Sequence, residues 1–348
     1  MKFIPFILSI IMAAHCYGSA SIGEYLSRTN KPSIPEKPDS SVVVAPALPA
    51  GLIAQGDFYR PAISPDGLSV ACEGPKMGSV YLYERSGETW KGGKIVTASK
   101  DTALRTYVVD ILDRIVSWRY GKKDGGKLHG PGLYENGKER YSGLTTGAAR
   151  MAKAKDGVIL LSKNGAWLNL ATGRRGQYAM PDSGEKFDFA ISGDSWAAGV
   201  NGYSKRASYV SVNGKLTTVA DYAKYRSQGD DLNYPSILIN GKDVWFASVY
   251  DGLLYVQCVT DGKTRWPINA LPAIGKANMQ DRCPPRLIIL TGLVTVIYVQ
   301  GGTIYRADVE GVLQGKSKPV AICKGAYPDV SANGLMVYVD GGLRVKKL

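Results

Sequence analysis

The sequence predicts an all-β fold: a seven-bladed β-propeller of four-stranded blades, closed by an N-terminal strand that completes the last blade. Three observations predict it. From residue 51 onward, short runs rich in Val, Ile, Leu and Tyr alternate with Gly, Asp, Asn and Lys, and no long stretch keeps a helical period. A Pro-to-Gly turn signature recurs about every 44 residues, the length a four-stranded blade requires. A second turn signature runs in phase with the first.

The elements follow in chain order. Met1-Lys2, the apolar run Phe3 to Ala14 and the small residues Gly18, Ser19 and Ala20 read as a secretory signal, residues 1–20, cleaved near Ala20. The run is too short to span a bilayer comfortably, which argues against a retained anchor. Lipidation would use Cys16, but His15 is bulky where a small residue is expected. Residues 21–50 carry Pro32, Pro35, Pro38, Pro46 and Pro49 and one apolar burst, Val42 to Ala45. Such a stretch cannot bury enough surface to offset its ordering entropy, so a flexible tether is expected, with a weakly signalled helix over Ile22 to Arg28. Residues 51–348 form the propeller, and no later run is long enough for a transmembrane helix.

Three segments show the first signature best: Pro61-Ala-Ile-Ser-Pro-Asp-Gly67, Pro235-Ser-Ile-Leu-Ile-Asn-Gly241 and Pro328-Asp-Val-Ser-Ala-Asn-Gly334. Weaker copies fill the gaps at Val108 to Arg114, Met151 to Gly157, Phe189 to Ser195 and Arg286 to Gly292. Each marks the turn between the two inner strands, a and b, of one blade. The second signature marks the outer c–d hairpins, at Ser86-Gly87, Asn136-Gly137, Thr172-Gly173, Asn213-Gly214, Asp261-Gly262 and Glu310-Gly311. The seventh repeat stops after Leu343-Arg-Val-Lys-Lys without a d-strand, while Leu52-Ile-Ala-Gln is a spare strand at the other end. Pairing the two closes the ring and hides the open sheet edges.

Ser64-Pro-Asp-Gly67, Tyr327-Pro-Asp-Val-Ser-Ala-Asn-Gly334 and, more loosely, residues 234–241 resemble the PD-type, WD-like propeller repeat of TolB-like periplasmic proteins. The resemblance holds at the level of the repeat across residues 52–348. It implies a propeller used as a binding platform, often in the bacterial envelope. The chain departs from the TolB arrangement in showing only a tether, and no separate globular domain, ahead of the propeller.

The candidate site residues follow from the register. Asp66, Asp156, Asn240 and Asn333 are expected to brace the a–b turns through backbone hydrogen bonds, with Gly67, Gly157, Gly241 and Gly334 accommodating the tight backbone. Tyr59, Tyr107, Tyr234 and Tyr327 precede the a-strands; they either line one mouth of the central channel and bind a ligand or pack between blades. Cys283 and Cys323 bracket one repeat and are the candidate disulfide, the alternative being buried free thiols on strands.

Reactive constellations are sparse. Only His15 and His129 exist, and His129 sits in the loop-like Lys127-Leu-His-Gly-Pro without an oxyanion motif, so no catalytic residue is assigned. Zinc would need His and Cys clusters that are absent, Asp230-Asp231 lacks a calcium-loop pattern, and no metal or cofactor is expected. Ser192-Gly-Asp-Ser-Trp196 partly resembles a sialidase Asp-box but fits better as a drifted a–b turn. The 43 Lys plus Arg against 30 Asp plus Glu leave a formal charge of +13, which speaks to solubility and polyanionic partners; part of the excess is local to residues 114–155, which read either as a docking segment or as a solvated basic face.

The expected function is a secreted or periplasmic, non-enzymatic binding or scaffold propeller engaging a protein or ligand through a channel mouth, with nucleic acid not expected. Its partner is an envelope protein or a polyanionic glycan or lipid surface. Two alternatives stay open: a hydrolase or lyase acting on an acidic polysaccharide, with carboxylates drawn from distant blades, and docking of the basic segment to anionic envelope surfaces.

Overall fold

The computed structural model describes residues 51–74, 79–96, 107–119, 123–124, 127–128, 132–141, 144, 149–162, 164–180, 186–202, 207–221, 234–278 and 284–348. The signal segment, the tether, His129, Asp230-Asp231 and Cys283 lie outside these residues.

The described chain forms seven four-stranded antiparallel blades. Its first strand, β1 (Leu52–Gln55), does not belong to the blade that follows. Blade 1 comprises β2 (Tyr59–Ile63), β3 (Ser69–Glu73), β4 (Val80–Ser86) and β5 (Thr89–Val96). Blade 2 comprises β6 (Tyr107–Leu112) and β7 (Ile115–Arg119), then a short excursion through the paired β8 (Lys123–Asp124) and β9 (Lys127–Leu128), then β10 (Gly132–Glu135) and β11 (Lys138–Tyr141). Blade 3 holds β12 (Ala149–Ala154), β13 (Gly157–Ser162), β14 (Ala166–Asn169) and β15 (Arg175–Gln177), and blade 4 holds β16 (Lys186–Ser192), β17 (Ser195–Gly202), β18 (Ala207–Val212) and β19 (Lys215–Asp221). Blade 5 has β20 (Ser236–Asn240), β21 (Asp243–Tyr250) and β22 (Leu253–Thr260), with β23 (Lys263–Thr264) and β24 (Ala273–Lys276) sharing the outer edge of β22. Blade 6 has β25 (Arg286–Leu290), β26 (Leu293–Gln300), β27 (Thr303–Asp308), the short helix α1 (Val309–Leu313) and β28 (Val320–Lys324). Blade 7 is β29 (Ala326–Val330), β30 (Leu335–Val339) and β31 (Gly342–Lys347), and β1 pairs antiparallel with β31 as its fourth strand. The seven-bladed fold expected from the repeats is the fold observed.

The a-strands β2, β6, β12, β16, β20, β25 and β29 contact one another in a closed ring around the channel. Burial then follows position within the blade. The second strand is covered on both faces by neighbouring blades, so β3 is buried throughout and β21 and β26 nearly so, whereas the outermost β15 is exposed along its length. The core is accordingly divided into one apolar cluster per seam. The seam of blades 7 and 1, for example, gathers Ile53, Val337 and Leu343 with Phe58, Val70 and Cys72.

Tight turns join the strands at the face where each a-strand ends, which we term the turn face. Successive residues with positive φ, as at Asn136-Gly137, Asn213-Gly214 and Asp261-Gly262, give the mirror-image turns that match strand twist. Two elements depart from the expected hairpins. Glu310-Gly311 lie inside α1 instead of a two-residue turn, because the longer connection lets Val309, Val312 and Leu313 pack on the cluster between blades 5 and 6. The outer strand of blade 5 is interrupted between β23 and β24 by Pro267, a turn of 3-10 helix (Ile268–Ala270) and Pro272; proline cannot donate to the ladder.

Candidate functional site

The a-strands bring one side chain from each blade to the same level of the channel. The register is marked by a repeated bond in which a backbone N–H of one blade donates to a side chain of the preceding one. Ile63 N donates to Asp329 Oδ2 at 2.9 Å, Met151 N to Asp110 Oδ2 at 2.9 Å, Ile237 N to Asp188 Oδ2 at 2.9 Å and Leu287 N to Ser236 Oγ at 3.0 Å. The equivalent positions are therefore Ala62, Asp110, Arg150, Asp188, Ser236, Arg286 and Asp329. Where the position is Arg, the seam is tied by an ion pair: Arg150 Nε lies 3.6 Å from Asp188 Oδ1, and Arg286 Nε lies 2.8 Å from Asp329 Oδ1. Six of the seven seams thus carry a polar tie at this level. Ala62 offers no acceptor, so at this level the seam of blades 1 and 2 rests on its apolar cluster.

Three aspartates and two arginines at one level act on each other electrostatically. Burial pushes the Asp110 carboxyl up to about 6; Arg150 and the Met151 N–H oppose the shift, and Asp188 and Asp329 add to it. Burial alone would lower Arg286, but Asp329, Asp188 and Asp110 together hold it above its ordinary value. These side chains sit in the seams between neighbouring a-strands and form a polar belt at one level of the inner ring. Among the described residues, no group of three or more His, Cys, Asp or Glu could hold a metal ion.

The sequence-selected tyrosines stand at the other end of the a-strands, on the entry face opposite the turns. Tyr59 is 41% exposed and meets Tyr327 edge to face at 6.4 Å. The Arg150 guanidinium of blade 3 lies 5.7 Å from the Tyr234 ring, which stands just ahead of the blade 5 a-strand. Tyr107 opens β6. Arg60 and Tyr327, each followed by proline, hold left-handed backbone at φ 45° and 54°, where the a–b registers of blades 1 and 7 are bulged. A bulky residue at positive φ is uncommon and costs free energy, and such strain concentrates at binding sites. Arg60 is anchored there by Glu73 at 3.3 Å.

The turn residues divide. Ser64 Oγ and Leu68 N donate to Asp66 Oδ1, at 2.5 and 2.9 Å, and Ser331 Oγ and Leu335 N donate to Asn333 Oδ1, at 2.6 and 3.2 Å. Asn333 Nδ2 also donates to Asp66 O at 2.8 Å, clasping the a–b turns of blades 7 and 1 across the closing seam. Gly67 and Gly334 hold φ 72° and 77°; a Cβ at Gly67 would lie 3.0 Å from Asn333. Gly157 and Gly241 hold φ 140° and 63° beside Asp156 and Asn240, whose side chains make no such bond among the described residues. Cys323 is a half-buried free thiol on β28, as Cys72 and Cys258 are free and buried. Of the basic stretch, Arg150 pairs with Asp188, Arg114 with Glu84, Lys153 with Asp113 and Lys155 with Asp194.

The charged belt was missed by reasoning from sequence. Its signal was available as the residue after Pro61, Pro235, Pro285 and Pro328, but the equivalent positions Asp110, Arg150 and Asp188 lack the proline that marks them.

No protein-family model and no curated protein sequence matches the chain. Among solved structures, hydrazine synthase of Kuenenia stuttgartiensis matches at TM-score 0.54 and 9% identity, over 87% of this chain and 98% of that one. A streptogramin B lyase matches at TM-score 0.52 and 11% identity, over 86% and 95% of the two chains. TolB from Acinetobacter baumannii matches more loosely, at TM-score 0.41 and 13% identity over 75% and 62%. At these identities the likeness shows the propeller fold alone. The repeat-level resemblance to TolB-like proteins is therefore a resemblance of propeller repeats.

Proposed function

We propose that the protein is a non-enzymatic binding propeller that works outside the cytoplasm and receives a partner protein at the entry-face mouth of its channel. The observation that carries this reading is the mouth itself: exposed Tyr59 against Tyr327, whose backbone is strained, on a rigid ring. Tyrosine presents a large amphipathic surface at little entropic cost, which suits it to protein interfaces. The turn face, by contrast, carries mostly two-residue turns among the described residues, which offer a partner little surface. The belt below the mouth supports a non-catalytic reading, because its carboxylates are occupied by backbone N–H groups and arginines. The net charge of +13 favours an acidic partner and faster encounter at low salt.

The test places a photo-crosslinking residue at Tyr59 or at Leu68, which is 48% exposed on the turn face. Exposed to envelope extract, the Tyr59 probe is expected to give a discrete, saturable protein adduct that the Leu68 probe does not. Equal labelling from both positions, or none from Tyr59, sinks the proposal.

A further inference from the structure

On the turn face, at the seam of blades 3 and 4, a cleft of about 190 Å³ opens beside a stack of aromatic rings. Tyr178 stacks on Trp196 of blade 4 with centroids 4.1 Å apart, and on Trp167 of its own blade at 5.6 Å. All three rings are half-buried, so the stack continues the apolar cluster of this seam outward to solvent. Asp156, Arg174 and Asp194 stand among the lining residues, supplied by the a–b and c–d turns. Lys155 donates to Asp194 at 2.6 Å and neutralises it. The Asp156 carboxylate and the Arg174 guanidinium make no hydrogen bond or ion pair among the described residues. Burial, and then Asp156, raise the Tyr178 hydroxyl above its ordinary value, so it remains a donor at neutral pH.

We propose that this cleft binds a neutral saccharide ring. The aromatic surface takes the apolar C–H face of the sugar, while Asp156 accepts from, and Arg174 and the Tyr178 hydroxyl donate to, its hydroxyl groups. The lining charges cancel once Lys155 is counted, so a charged ligand gains nothing over a neutral one, whereas a purely apolar ligand leaves a carboxylate and a guanidinium desolvated. The volume is below the roughly 300–1,000 Å³ of sites for drug-sized ligands, which limits the occupant to one ring, such as the end unit of a glycan. Trp196 lies in the segment Ser192-Gly-Asp-Ser-Trp196, so that turn contributes Gly193, Asp194 and Ser195 to the cleft as well as ending a blade strand. The site stands on the face opposite the tyrosine mouth and is independent of the partner proposed there.

The test titrates the full chain with glucose, galactose, mannose, N-acetylglucosamine and N-acetylgalactosamine, and with glucuronic and N-acetylneuraminic acids, by calorimetry and saturation-transfer NMR. At least one neutral sugar is expected to saturate below about 10 mM. D156N and R174Q should each weaken it about tenfold with unchanged melting temperature, and Y59A should leave it unchanged. No saturable neutral sugar, preference for the acidic sugars, or equal binding by D156N and R174Q overturns the proposal.

Discussion

Asp110 shows how one side chain couples the channel to pH. Its carboxyl titrates near 6 in the folded protein against an ordinary value of 3.8. Between those values the folded state binds more protons than the unfolded one, so this group favours folding below about pH 4 and loses that contribution as pH rises through 6. Asp110→Asn keeps an acceptor for the Met151 N–H without the charge. We expect thermal melts to place D110N above the wild type by about 2 kcal/mol at pH 7 and level with it at pH 4; parallel curves for the two proteins would assign the titration elsewhere. Individual residues were unevenly legible. Asp66 and Asn333 sit in the best copies of a repeat and could be read as turn residues, whereas Asp110 and Arg150 belong to drifted copies. The electrostatic coupling between them depends on how neighbouring blades are phased, which no local pattern records.

Strand β1 shows what a single element contributes. Leu52 and Ile53 are 6% and 3% exposed, and Ile53 joins the cluster that closes the ring. Truncating a buried branched side chain forfeits its transfer free energy and leaves a cavity, so Ile53→Ala should cost about 2–4 kcal/mol in chemical denaturation. A chain beginning at residue 57 is expected to expose the edge of β31 and associate on size-exclusion chromatography. A monomeric, equally stable truncation would show that blade 7 stands on three strands. Elements were read well where turn chemistry is local: Asn213-Gly214 and Asp261-Gly262 announce their hairpins by residues that tolerate positive φ. Glu310-Gly311 carried the same mark and misled, because Val309, Val312 and Leu313 gain more by packing as α1 than the turn gains by forming.

At the scale of the molecule, seven weak sheets are held as one body by seven apolar seams and a polar belt at the channel. None of these sheets covers both of its own faces, so the repeat itself, once its period is recognised, dictates radial stacking. That is why the blade number was legible at a period which individual repeats obey only approximately. The entry-face tyrosines could be named from their place ahead of the a-strands, whereas the turn-face cleft and the cross-blade ion pairs could not, because each is assembled from residues on different blades. Among the described residues no helix is long and apolar enough to cross a membrane. The proposed export is checked by the intact mass of protein recovered outside the cytoplasm, which should correspond to a chain beginning near Ser21; a mass that includes Met1 or a lipid on Cys16 would count against it.

The pairing of Leu52 with Arg344 also imposes an order in time. The strand that completes the ring emerges first during synthesis and has no partner until nearly the whole domain has followed it. Blades 1 to 6 can form from neighbouring residues as they appear, but the final seam joins the most distant parts of the chain, a slow kind of contact because it closes the longest loop. Until that contact forms, the edges of β31 and of the first blade have no partner, and an unpaired edge is a template for misassembly.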